Sequence, residues 1–138
     1  MASTKDVRPT SSSPDFSKVG TTYILSQEID FTDTDNQLAQ NETMSVFDIP
    51  ANCHVRGFMK VTTADTDITD VDLGMTTDGT TSASLFDGVS LASTGYVQNA
   101  TALDAFTTAA SIVVLTNKDA QTINQAVVKV IVEVTPLY

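Results

Sequence analysis

The chain has 138 residues, 41% hydrophobic and only 17% charged, which suits one domain with a real core rather than two domains. Its formal net charge is −10 and its pI near 4.1, so phosphate backbones and anionic lipid surfaces repel it, and neither nucleic acid nor membrane is expected as a direct partner. Cys53 is the only cysteine, which excludes an internal disulfide framework. No stretch approaches the roughly 18 apolar residues of a membrane span. The start lacks the apolar run of a secretory leader, so synthesis and retention in a reducing cytoplasm are expected.

In chain order, residues 1–20 are polar and hold Pro9, Pro14 and Ser11 to Ser13. Such a segment buries too little surface to fold alone. It reads as an extended N-terminal arm that docks on a neighbour. Val7, Pro9, Phe16 and Val19 would supply apolar contacts, and Lys5, Arg8 and Lys18 would meet acidic groups. The arm carries +1, from Lys5, Arg8 and Lys18 against Asp6 and Asp15, which leaves −11 of the −10 total for the rest. Residues 21–138 form the second unit, a β domain. Over 22–31 alternation sets Tyr23, Leu25, Ile29 and Phe31 on one face. An Asp/Asn/Gln loop follows. A short strand over 43–49 groups Met44 and Val46, with Asp48 on the same side. Over 53–63, Val55, Gly57, Met59 and Val61 point inward, and His54, Arg56, Phe58 and Lys60 outward.

Around Ala64 to Asp67 the spacing predicts a hairpin into a strand over 69–76, with Val71, Leu73 and Met75 opposite Asp70, Asp72 and Gly74. Residues 84–91 fit either a helical turn or an edge strand, and 92–107 read as a long surface connection. The continuous apolar run over 109–116 predicts a strand buried on both faces. Over 126–135, Val128, Val130, Val132 and Val134 alternate with Lys129, Ile131 and Glu133. These make about six to eight strands, and an antiparallel β-sandwich, jelly-roll or Ig-like, buries their inner faces.

No catalytic constellation stands out, and no enzyme activity or cofactor is expected. Cys53 and His54 are neighbours on a strand and diverge, so they form no dyad, and no further Cys or His completes a zinc site. Asp33-Thr34-Asp35-Asn36 and Asp65-Thr66-Asp67 offer oxygen ligands for calcium but lack the Gly and final Glu of the helix-loop-helix pattern. Turn chemistry is the simpler reading, and no metal is expected. With no Trp, a glycan platform would have to come from Tyr23, Tyr96 or Tyr138. The sequons at 41–43 and 99–101 carry no weight in a cytoplasmic protein.

Four short motifs add a resemblance. Ile49-Pro50-Ala51, then Asp72-Leu73-Gly74, then Phe86-Asp87-Gly88-Val89, and a final Val-rich strand over 126–135, are similar to a pattern in small structural proteins of tailed bacteriophages. The likeness spans the domain from about residue 44 onward and leaves out the arm. It implies a virion component, a capsid decoration or cement protein on the head exterior. The major capsid protein would be its partner, and a homotrimer its form. It brings no catalytic residues. A tail, neck or fibre-base component, or a host-surface glycan-binding module, is the alternative.

Overall fold

The computed structural model describes residues 4–9, 16, 18–80, 82–97 and 104–137. It is a two-sheet β-sandwich. The strands are β1 (Thr4–Asp6), β2 (Tyr23–Asp30), β3 (Thr43–Ile49), β4 (Cys53–Thr63), β5 (Val71–Thr76), β6 (Phe86–Val89), β7 (Gly95–Tyr96), β8 (Asp104–Phe106), β9 (Ser111–Asn117) and β10 (Val127–Pro136). One sheet runs β1-β3-β9-β5-β6. The other runs β2-β10-β4-β7, with β8 also paired to β4.

The pairing has a simple origin. The run β2-β3-β4-β5 doubles back on itself at the β5–β6 hairpin, and the return path pairs antiparallel with it: β6 on β5, β7 and β8 on β4, β9 on β3, β10 on β2. That ribbon is rolled so that β10 also pairs with β4 and β9 with β5. The result is jelly-roll connectivity. In an Ig-like sandwich the first two strands share a sheet, whereas β2 and β3 lie in opposite sheets.

β10 sits at the centre of its sheet, and Val128, Val130, Val132 and Val134 are all 0% exposed. Each contributes roughly 1.5–3 kcal/mol of apolar burial. They meet Val55, Met59, Val61, Leu73, Val113 and Leu115 between the sheets, as the alternation predicted. The run over β9 is buried along most of both faces, with Val113, Val114 and Leu115 fully covered.

Four expectations change. The chain around Ala64 to Asp67 is no hairpin, because β4 and β5 belong to different sheets and residues 64–70 arch between them. The hairpin is instead β5–β6. Asp48 does not share a side with Met44, because a bulge between Ser45 and Phe47 shifts the register so that Phe47 and Ile49 turn inward and Asp48 is exposed. Asp72 points away from the core yet is only 8% exposed, with its Oδ1 accepting from Gly88 N at 2.8 Å. The stretch over 92–107 is more than a connection: it supplies β7 and β8, which both extend the sheet beside β4. The undecided segment 84–91 contains the strand β6.

Candidate partner-binding surfaces

Three surfaces differ in chemistry. The first is one end of the sandwich, where residues 31–42, 64–70, 90–94 and 118–126 meet. Leu38 and Ile123 exchange backbone hydrogen bonds, and Leu91 bridges Asp65 and Ile68 through its backbone. Asp33, Asp35, Asp65, Asp67, Asp70 and Asp119 gather here, with Lys118 the only cation of these loops. Their carboxylates serve the backbone. Asp33 accepts from Asp35 N at 3.0 Å and starts the 3-10 turn Thr34–Asn36. Asp119 accepts from Thr69 N and Gln121 N, both at 3.0 Å, and these bonds hold its carboxyl below the ordinary value of 3.8. Asp65 is 1% exposed and its Oδ2 accepts from Asn124 N and Gln125 N, both at 3.2 Å, so it does not face solvent as a loop carboxylate would. Among the described residues no three Asp, Glu, His or Cys side chains converge in the way a metal ion requires.

The second surface is the arm. The structure lays its described residues on the same chain. Thr4–Asp6 pairs in parallel with β3, Lys5 opposite Met44. Val7 N donates to Ser45 O at 2.9 Å, and Gln27 Nε2 donates to Val7 O. Val7 is thus held between β3, whose outer edge β1 covers, and β2, the edge strand of the other sheet. Arg8 bonds Asp6 at 2.6 Å and Asp48 at 2.9 Å, and these carboxylates raise its pKa while its guanidinium lowers that of Asp6. Phe16 meets Tyr23 edge-to-face, ring centres 5.2 Å apart, and both Val7 and Phe16 pack on the core. Pro9, Lys18 and Val19 are exposed. Of the seven arm residues expected to bind a partner, the structure therefore leaves these three most open.

The third surface is the outer face of the sheet β2-β10-β4 with β7 and β8. Its rows follow from register. His54 lies between Thr135 and Phe106; Arg56 and Ile24 flank Glu133; Ser26 and Phe58 flank Ile131; Glu28, Lys129, Lys60 and Tyr96 complete the last row. Ile24 and Phe106 are each 66% exposed and Tyr96 is 59% exposed. The rings of His54 and Phe106 lie 5.1 Å apart, Arg56 sits 5.4 Å over Phe58, and Lys60 sits 5.5 Å over Tyr96. Of the seven Lys and Arg, three precede residue 20 and Lys118 lies in the acidic loops; the remaining Arg56, Lys60 and Lys129 all stand on this face. Glu28 and Glu133 alternate with them.

Sequence alternation placed His54, Arg56, Phe58 and Lys60 outward. It did not bring Ile24, Tyr96, Phe106, Lys129 and Ile131 to the same face, because that follows from cross-strand pairing. Cys53, on the opposite side of β4, is buried with its Sγ 3.5 Å from Ala51 O, and burial pushes its thiol pKa up. Of the tyrosines considered for a glycan platform, Tyr23 lies on β2 against Phe16 and Tyr96 on β7, at opposite edges of the sheet, and Tyr138 is outside the described residues. The second sequon, 99–101, also falls outside them. No helix among the described residues is long and apolar enough to cross a membrane. No protein-family model matches the chain, and no curated protein or solved structure matches it either.

Proposed function

We propose that this chain is a structural virion protein of a tailed bacteriophage, a capsid decoration protein that docks on the head shell and binds no small substrate. One observation carries the reading. A broad sheet face combines the exposed Ile24, Tyr96 and Phe106 and the half-buried Phe58 with Arg56, Lys60 and Lys129, on a chain whose net charge is −10. Aromatic and arginine side chains on an otherwise polar surface are the composition of protein interfaces. The jelly-roll connectivity recurs in viral capsid and lectin domains, and this is support by fold analogy alone. The motifs around Ile49, Asp72 and Phe86 favour the viral branch. In this reading the sheet face contacts the major capsid protein, the acidic loop end points outward, and copies associate as trimers, with Pro9, Lys18 and Val19 adding contacts from the arm.

The test is co-sedimentation with expanded empty capsids. The protein should bind and raise the temperature at which the shells lose integrity. Phe106→Asp and Tyr96→Asp should weaken binding at least about tenfold each while leaving the fold intact. Binding to isolated tails with none to heads would move the protein to the tail. Unchanged binding by both face variants would remove the face from the contact.

A further inference from the structure

We propose that β1 is an exchangeable strand, and that the seat on the edge of β3 takes residues 4–9 from a second copy of this chain when copies are crowded. The seat is defined by its present occupant. Thr4, Lys5 and Asp6 pair with Thr43, Met44 and Ser45; Val7 bonds Ser45 and Gln27 through its backbone; Arg8 reaches Asp48. Each contact joins the arm to β2 or β3, and none depends on which chain the arm belongs to. An identical arm from a neighbour satisfies all of them, the condition for low-cost strand exchange.

Simple opening is disfavoured. It would bare the N–H and C=O row of β3, whose residues 43–47 are all buried, and an uncovered strand edge is a template for another strand. A second copy's arm is the occupant that restores every bond. A pivot is present outside the seat. Lys18, Val19, Gly20 and Thr21 are exposed; Gly20 has φ +80° and open space around its missing Cβ; Gly20 N to Pro136 O at 2.8 Å ties the turn down. With Phe16 released from Tyr23, the extended chain from Val7 to Gly20 spans roughly 45 Å. That exceeds the roughly 35 Å width of a domain of this size, so a neighbour's seat is within reach.

A tether of this length gives an effective concentration of about a millimolar, so dilute protein keeps its own arm and crowded protein exchanges it. The proposal goes beyond capsid binding and does not rest on it. Its test uses full-length chains. Asp6→Cys is made in one preparation and Ser45→Cys in another; the two positions face each other across the β1–β3 ladder. Ser45 is 4% exposed, so a thiol there meets an arm in the seat rather than a random collision. The preparations are mixed, unfolded, refolded together and mildly oxidised. A mixed disulfide dimer is expected, its ratio to monomer rising roughly fiftyfold between about 10 μM and about 1 mM, where exchange begins to deplete the monomer. The pair Thr4→Cys and Thr43→Cys repeats the reading one step along the ladder. Absence of mixed dimer with both pairs up to about 1 mM overturns the proposal. Mixed dimer without capsid binding leaves exchange standing and removes the decoration reading; capsid binding without mixed dimer does the reverse.

Discussion

The loop end and the outer sheet face use polar side chains in opposite ways. At the loop end, the carboxylates of Asp33, Asp65 and Asp119 accept from backbone N–H groups, and those of Asp65 and Asp119 tie the loops 64–70 and 118–126 to each other. On the sheet face, Arg56, Lys60 and His54 lie against the rings of Phe58, Tyr96 and Phe106, and the backbone beneath is already satisfied by the β4–β10 ladder. An acidic surface reads at first as the functional one. Here much of the acid is turn chemistry, and the smaller cationic and aromatic set stands where a partner can reach it.

The sharpest break in that contrast is through β10, whose two sides belong to the core and to the face. Val130→Asp would bury a charge with no partner at a position that is 0% exposed, and should prevent folding, a loss of more than about 4 kcal/mol in chemical denaturation. Comparable denaturation midpoints for Val130→Asp and Glu133→Gln would mean the register is wrong. At the loop end, Asp65→Ala removes the acceptor of two backbone donors and should cost about 1–3 kcal/mol, while Asp65→Asn keeps one acceptor oxygen and should cost less. If Asp65→Ala were neutral, the loop end would owe its shape to something other than its carboxylates.

Acid titration sharpens the same contrast. Hydrogen bonds from Thr76 and Thr80 hold Asp78 down to about 2, and Asp119, Asp30 and Asp6 are also held below 3.8. A carboxylate lowered in the folded state stabilises it above the unfolded value, and that contribution is lost as pH falls through the folded value. Stability followed by thermal melts should therefore fall between about pH 4 and pH 2. Asp72 runs the other way. Burial, reinforced by Asp87 and Asp70, raises its pKa against the bond from Gly88, so it favours the fold at low pH and opposes it once ionised. Asp72→Asn should leave stability at pH 7 unchanged or slightly higher, and should steepen the acid loss. The smallest effect is expected on the sheet face, where Glu133→Gln and Phe106→Asp should shift stability by within about 0.5 kcal/mol. A larger loss from Phe106→Asp would make that ring part of the fold rather than of an interface.

Much of the sandwich was legible because period-two alternation reports a half-buried strand directly. Val128 to Val134 on β10 and Val55 to Val61 on β4 were assigned to the correct faces from spacing alone. Other features carry no local signal. The arch at Ala64 to Asp67 and a hairpin have similar turn residues, and only the choice of partner strand separates them. The bulge at Ser45 to Phe47 flips Asp48 without any Gly or Pro to announce it. Tyr96 and Phe106 lie in small, polar stretches too short to show a period, and they become strands because β4 offers an edge on which to pair. The sequence by itself determined which side chains turn toward a core, since that is a matter of alternation within one strand. Which exposed side chains share a surface was decided only by the tertiary structure, because His54 and Phe106, or Ile24 and Glu133, are joined by hydrogen bonds between strands far apart in the chain.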